Sequence, residues 1–356
     1  MMNKRMTLLA AILGFTMCVS SFAQSSVTLY GLVDGGLLYT SRTLDSATGR
    51  DAGPQFALID AGLTASGFGI TGTEDLGGGL KATFKLESGV SVANGGFNNS
   101  NGNQFGRQAW VALGGNFGEF KAGLQFSPFF LAVHESDPRS LSEFGSGLIN
   151  YVDNVLVTGL FNANAVSYTS QTLAGFTGSV MLALGGEAGS FQAGRQYSAS
   201  LKYESGGLMI NAAMYDGNGG GALITPIPST EAFEGRTLGA AYKFGPLIAK
   251  ASFVNYKVSG SFNNNVYGGG LDWLVQPQLD VNGGVWVTSD RNDTKNHSLL
   301  VALGAECFLS KATTLYAQVG LVNNHGAMNT GLSISSALYG APGTTLGVDL
   351  GVRHAF

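Results

Sequence analysis

Hydrophobic and polar residues alternate with a period of two along most of this chain. The segment EDLGGGLKATFKLESG (Glu74–Gly89) illustrates the pattern. In its second half one parity carries Leu80, Ala82, Phe84 and Leu86, and the other carries Lys81, Thr83, Lys85 and Glu87. Strict period-two alternation predicts a β-strand with one apolar and one polar face.

The same alternation recurs from the start of the chain to its end, as in VTLYGLVDGGLLY, EFKAGLQF, YSASLKYE, LDVNGGVWVT and TLGVDLGVRHAF. Short turns follow some segments, as at Gly77–Gly79 and Phe244–Pro246, whereas long polar stretches follow others, as at 94–103 and 323–343. Tight turns on one side and long loops on the other are typical of a transmembrane β-barrel. The sequence therefore predicts an all-β, antiparallel barrel of about sixteen strands.

Composition favours the membrane over water. Charged residues make up 12% of the chain, about half of the roughly 25% usual for a soluble domain. A lysine on a lipid-facing surface costs about 2–4 kcal/mol at the bilayer midplane, so we expect Lys81 and Lys85 to face inward. A soluble β-sandwich would show the same period, but it explains neither the low charge nor the unequal loops.

The N-terminus has the pattern of a secretory signal peptide. Lys4 and Arg5 precede a short apolar run over 6–19, and Ser21 and Ala23 supply the small residues at a cleavage site. We expect residues 1–23 to be removed and residues 24–356 to form one exported barrel domain. The remaining chain has a formal charge of −6 and a single cysteine, Cys307, which rules out an intramolecular disulfide.

Five segments in order resemble the Gram-negative general porin family: SSVTLYGLVDGGL, GFGITGTEDLGGGLKATFKLESG, FGRQAWVALGGNFGEFKAG, FLSKATTLYA and the terminal GVRHAF. The resemblance covers almost all of the chain after Ala23. It implies a homotrimer in the lipid and lipopolysaccharide of the outer membrane, passing ions and small hydrophilic solutes without a cofactor, a catalytic site or nucleic acid. Phe356 resembles the terminal signal that the barrel insertion machinery recognises.

In such porins the third external loop folds into the barrel and narrows it, and here that loop would run over about 127–164. We expect its apolar residues Phe129, Phe130, Leu131 and Val133 to pack on the inner wall. Its polar residues would then point into the channel, opposite charged residues of the wall. The predicted constriction therefore comprises His134, Glu135, Asp137, Arg139 and Glu143 on the loop, and Lys81, Lys85, Glu87, Arg107 and Lys121 on the wall. A loop that extends outward into solvent is the alternative.

Several questions stay open at this point. The family often has arginine where this chain has Gly67, Thr71 and Leu124, so its basic wall is thinner, and the acidic loop favours a weak preference for cations. A substrate-specific channel, a plugged barrel acting as an adhesin and a barrel with an enzymatic site at its rim are the other functions that fit. The four histidines show no ligand spacing along the chain, so we expect no metal site.

Overall fold

The computed structural model describes residues 25–99, 102–155, 160–221 and 232–356. The expected signal peptide and its cleavage site after Ala23 lie outside these residues. Within them the chain forms mainly antiparallel strands, with two short helices between the eighth and ninth. Among the described residues, no helix is long enough and apolar enough to cross a bilayer.

The strands close into one barrel, in which the first strand pairs with the last from Leu32↔Ala355 to Thr40↔Gly347. The wall consists of β1 (Ser25–Thr40), β4 (Gln55–Asp60), β5 (Gly67–Gly77), β6 (Leu80–Gly89), β7 (Gln108–Gly115), β8 (Gly118–Phe126), β9 (Phe161–Thr169), β10 (Phe176–Ala183), β11 (Gln196–Ser205), β12 (Leu208–Gly217), β13 (Phe233–Phe244), β14 (Leu247–Val258), β15 (Asn263–Gln276), β16 (Leu279–Asp290), β17 (His297–Phe308), β18 (Thr313–His325) and β21 (Gly343–Ala355).

Two of these strands, β4 and β5, share one position in the wall, because both pair with β1, one with each half. The described wall therefore has sixteen positions, which confirms the predicted number. The other four strands form small hairpins within long loops: β2 (Leu44–Asp45) with β3 (Arg50–Asp51), and β19 (Thr330–Ser333) with β20 (Ala337–Tyr339).

Alternation along each strand sorts its side chains between the two faces of the wall. In β18, Leu315 and Val319 are exposed on the outside, whereas Thr314 and Gln318 are buried on the inside. Exposed aromatic pairs gather at the short-turn end, as in Phe120–Tyr168 and Tyr242–Phe244. An apolar outer band with aromatic residues near its edge is the surface that a bilayer requires.

The break between β4 and β5 bends inward and is held by one carboxylate. Asp34 of β1 accepts hydrogen bonds from the backbone N–H groups of Leu63 and Thr64, at 2.9 and 2.8 Å, and a longer one from Gly62. The hydroxyl of Tyr316 also donates to Asp34, at 2.6 Å. These bonds satisfy backbone groups that have lost their strand partners, as buried polar groups require. The bend therefore protrudes into the barrel as a fixed platform.

Residues 127–160 are here called loop 3, and its described residues, 127–155 and 160, lie inside the barrel. Loop 3 contains the helices α1 (Pro128–Ser136) and α2 (Gly147–Val155), joined by the segment 137–146. Buried side chains of the loop pack against the inner faces of β10–β18, which gives the protein its hydrophobic core. The alternative of an outward, solvated loop is wrong for the described part of this segment.

Candidate functional site

The first helix of loop 3 is fixed at its start and packed along one face. Ser127 caps α1 by accepting a hydrogen bond from the N–H of Phe130 at 3.1 Å, and Pro128 occupies the first turn, where its missing N–H costs nothing. Phe129, Phe130 and Val133 are buried, as predicted. Leu131 was expected to pack with them, but it lies on the opposite face of the helix and is 46% exposed toward the channel.

An aromatic cluster holds α1 against the wall. Phe129 packs within 6.5 Å, centroid to centroid, of the rings of Tyr151, Tyr215 and Tyr256. Phe129, Tyr151 and Tyr256 are each no more than 1% exposed. A fully buried aromatic side chain contributes about 1.5–3 kcal/mol from its apolar surface, so this cluster anchors one end of loop 3 firmly.

Arg139 anchors the middle of loop 3 to strands β16 and β18 of the wall. Its Nε donates to Oδ1 of Asn282 at 2.8 Å, and its Nη1 donates to the carbonyl oxygens of Phe144 and Gly145 at 2.9 and 2.8 Å. Its Nη2 donates to Oε1 of Gln318. Burial lowers the pKa of Arg139 to about 10, which leaves the guanidinium charged at neutral pH. Arg139 is therefore a cationic latch between the loop and strands β16 and β18.

Asp137 shapes the turn that presents this latch. Its carboxylate accepts hydrogen bonds from the N–H groups of Arg139, Leu141 and Gly147, at 2.9, 3.0 and 2.8 Å. Asp137 is 2% exposed and Arg139 is 5% exposed. The structure thus corrects the expectation that these two side chains point into the channel, since both are used inside the loop and its attachment.

The channel-facing edge of loop 3 is formed by Leu131, His134, Glu135 and Glu143. Glu135 accepts a hydrogen bond from Nζ of Lys202 at 2.9 Å. Burial, with Lys250 nearby, lowers the pKa of His134, so this imidazole is neutral at neutral pH. Burial raises the pKa of Glu143 to about 8, against the opposing effect of Arg107. The edge therefore carries less negative charge than its count of acids suggests.

Across the lumen lies the free wall, meaning the inner face of β5–β9. Lys85 forms an ion pair with Glu87 at 2.9 Å and lies 5.2 Å from the ring centroid of Tyr30. Lys121 repeats this arrangement, with Glu119 at 3.2 Å and the Trp110 ring at 4.5 Å. Each lysine thus has a carboxylate two residues away on the same face. The wall is polar and charged, yet nearly neutral overall.

The two remaining wall residues occupy different levels. Lys81 faces inward because it lies four residues before Lys85 on the same strand, and side chains alternate along a strand. Its register partners Asp75 and Gly114 place it near the short turns. Arg107 is 9% exposed, and it donates to the carbonyl oxygens of Ala65 and Asn98, at 3.1 and 3.3 Å. Arg107 therefore fixes the second external loop to the bend between β4 and β5, and it presents little surface to the channel.

Below α1 the lumen widens into a bay of about 320 Å³. Its lining mixes apolar side chains such as Met209 and Ile248 with the charges of Glu204, Lys243 and Lys250. Lys250 donates from Nζ to the carbonyl oxygen of Asp137 at 2.9 Å, which supports loop 3 from beneath. The bay is part of the passage on the short-turn side of loop 3.

Sequence reasoning missed several residues that position this site, notably Lys202, Lys250, Asn282 and Gln318. They lie 67 residues or more beyond the loop residues they contact. One signal was available: Gly304 leaves room for Arg139, since a Cβ there would lie 2.6 Å from Nη2. A glycine in the middle of an alternating strand marks such a close approach.

The remaining predicted residue lies at the end of the barrel opposite the long loops. Phe356 is 60% exposed, and its ring covers Gly31 on the outer face of β1. Its backbone extends the pairing of the last strand, β21, with β1, exchanging hydrogen bonds of 2.9 and 3.0 Å with Gly31. In the described part of the chain, no three histidine, cysteine or acidic side chains converge as metal ligands.

The geometry as a whole leaves a solvent-accessible passage between loop 3 and the free wall. Lys85 and Lys121 keep about a quarter of their side-chain surface exposed, although they face the inside of the barrel. Polar groups at this density inside a closed wall require water. The arrangement can pass small hydrophilic solutes, and it presents both signs of charge to them.

Comparison with known proteins agrees with this geometry. Residues 7–327 match the family model described as Gram-negative porin. Outer membrane porin protein 32 of Delftia acidovorans is 31% identical over 95% of this chain and 96% of its own length. Major outer membrane protein P.IB of Neisseria gonorrhoeae is 29% identical over 89% of this chain and 94% of its own length.

A solved structure, the anion-selective porin from Comamonas acidovorans, superposes with a TM-score of 0.79. It is 27% identical and covers 94% of this chain and all of its own length. The family match and the relatives that align over nearly the whole chain confirm the outer-membrane diffusion channel that the resemblance implied. The chain belongs to the Gram-negative porin family.

Proposed function

We propose that the narrowest part of this channel lies between the edge of loop 3 and the free wall, and that its charges set a weak preference for cations. The observation that carries the proposal is the pairing of two free-wall lysines with carboxylates, Lys85 with Glu87 and Lys121 with Glu119. Paired charges create little net field for a passing ion.

Acidic residues on the short-turn side of loop 3 add negative charge to the channel and therefore favour the passage of cations. The inward-facing residues Asp272, Asp280 and Glu306 lie close together on β15, β16 and β17. Nη2 of Arg353 lies 3.8 Å from Glu306, and Lys250 is the basic residue that acts on Asp272. The solved relative from Comamonas acidovorans is described as anion-selective. The selectivity proposed for this chain would therefore have the opposite sign.

The proposal extends to the surroundings that the family resemblance implies. These are a homotrimer, a belt of outer-membrane lipid and lipopolysaccharide, and assembly by the barrel insertion machinery through Phe356. The exposed apolar band supports contact with lipid. Solutes cross passively, with no catalytic step.

Single-channel recording in a planar bilayer under a potassium chloride gradient tests this proposal. We expect large steps that close in groups of three and a reversal potential slightly on the side of cations. A reversal potential on the side of chloride would contradict the proposed selectivity. Saturable flux of one solute class would favour a substrate-specific channel, and silence from folded protein would favour the adhesin or rim-enzyme alternatives.

A further inference from the structure

Two of the four histidines, His297 and His325, are brought together on the outer face of the barrel. His297 begins β17 and His325 ends β18, and the two are direct partners in the register of these antiparallel strands. Their rings stack with centroids 4.5 Å apart and planes inclined by 18°. They are 28 positions apart in the chain, so their spacing gave no sign of this contact.

The pair is accessible and held in place. Both histidines are exposed at the long-loop end of the wall, beyond the apolar band. The loop before His297 and the loop after His325 are joined, because the N–H of Ala327 donates to Oδ1 of Asn296 at 2.9 Å. The two imidazoles are therefore mounted on a rigid hairpin edge, which reduces the ordering needed to bring two ligands to one ion.

The hydrogen bonding of His297 favours the tautomer that a metal ligand needs. Its Nδ1 lies 3.3 Å from the carbonyl oxygen of Thr294. Donation from Nδ1 leaves the lone pair of Nε2 free, and a carbonyl partner on the other ring nitrogen is the usual support of a metal-binding histidine. Stacked rings hold their lone pairs roughly parallel, so both exposed side chains would rotate about their Cα–Cβ and Cβ–Cγ bonds to direct one nitrogen each to the same ion.

We propose that His297 and His325 form a binding site for a divalent transition-metal ion on the external rim. Imidazole nitrogen suits copper, nickel and zinc, and among these the affinity order places Cu²⁺ highest. Two protein nitrogens fill two positions of a tetragonal Cu²⁺ ion, and water supplies the others. The bound ion would clamp β17 to β18 outside the conducting lumen.

Titration of the folded, detergent-solubilised barrel with Cu²⁺, followed by electron paramagnetic resonance, tests this site. We expect coupling from two equivalent nitrogens and at least a tenfold loss of affinity in each of His297→Asn and His325→Asn. His354→Asn is the matched control, since His354 is also an exposed strand histidine but lies at the opposite end of the wall. The double variant gives the background from other copper ligands.

Heat-dependent gel mobility establishes that each variant is folded before it is titrated. Equal affinity and an unchanged spectrum in the His297 and His325 variants would overturn the site. Loss of signal in only one of these two variants would also overturn it, because the proposal requires both nitrogens on one ion.

Discussion

Nε of Arg139, on loop 3, lies 2.8 Å from Oδ1 of Asn282, which is 143 positions later in the chain and on the part of the wall against which the loop packs. This contact, with the partner bond to Gln318, fixes the middle of loop 3 to β16 and β18, on the side of the barrel away from the free wall. It shows that the position of loop 3 depends on side chains from β16 and β18 as much as on its own helices.

Replacement of Arg139 by alanine should loosen loop 3. The change removes four hydrogen bonds of a buried cation and leaves their acceptors unsatisfied. We expect a loss of about 3 kcal/mol in the free energy of unfolding, together with noisier open-channel current and closure at lower voltage. Urea titration in lipid vesicles and single-channel recording measure the two effects.

Arg50→Ala serves as the control for this change, because Arg50 lies in an exposed hairpin of the first external loop. It should leave both stability and current noise close to those of the native protein. If Arg139→Ala conducts as quietly as Arg50→Ala, the latch does not hold the loop.

Lys121 should influence ion selectivity from its position on the free wall. Lys121→Gln leaves Glu119 without its partner at 3.2 Å. One unit of charge acting on an ion at ~8 Å in water is worth about 0.5 kcal/mol, and 0.1 M salt screens this to about 0.2 kcal/mol. Because the effect has opposite signs for cations and anions, the cation-to-anion permeability ratio should roughly double. Reversal potentials under a salt gradient measure this ratio.

Lys257→Gln makes the same change of charge on the outer face of the wall, where Lys257 pairs with Glu234 at 3.0 Å. It should leave the reversal potential unchanged. Equal shifts in the two variants would mean that selectivity follows the total charge of the protein rather than that of the lumen.

Glu143 should make selectivity depend on pH. Burial raises its pKa to about 8, so the carboxyl is mostly protonated at pH 6.5 and ionised at pH 9.5. As pH rises through this range the channel gains a negative charge, and the preference for cations should increase. Stability should move the other way: between about pH 5 and 8 the folded state holds a proton that the unfolded chain has released, so stability falls as pH rises.

Glu143→Gln should remove most of this rise in the reversal potential between pH 6.5 and 9.5. Asp153→Asn is the matched control, since it removes another carboxyl of loop 3 whose pKa is raised by burial, to about 7. A rise that persists undiminished in Glu143→Gln would assign the titration to another group.

Phe356 should matter for assembly more than for the finished barrel. Deleting it removes an exposed ring and two backbone hydrogen bonds at the edge of β1. We expect much less folded protein in the outer membrane of cells, while the purified chain still folds in detergent. Comparing heat-dependent mobility in membranes and after refolding separates the two steps, and equal yields in cells would contradict the role as an insertion signal.

The wall of the barrel could be predicted from sequence because its information is local. Alternation in segments such as Leu80–Glu87 decides which face of a strand meets lipid, and the register then follows from short turns such as Gly77–Gly79. The bend between β4 and β5 was missed, because its cause is a hydrogen-bonding carboxylate, Asp34, on another strand.

The site was predicted less completely because its contacts are long-range. Hydrophobic pattern placed Phe129 and Val133 on the wall, but charge alone suggested that Arg139 faces water. Only the fold brings Asn282 and Gln318 within reach of that guanidinium. For the same reason, stacking of His297 on His325 depends on strand register and not on any spacing in the chain.

The most direct test of the open channel between loop 3 and the free wall is modification of a single cysteine during single-channel recording. Leu131→Cys, combined with Cys307→Ala to remove the exposed native thiol, places the reactive group on the channel-facing side of α1. A charged thiol reagent should reduce the current of this variant in discrete steps. The same reagent should leave unchanged the current of Leu315→Cys, whose side chain lies on the outer face. Conductance that is insensitive to modification at position 131, or equally sensitive at position 315, would contradict the account.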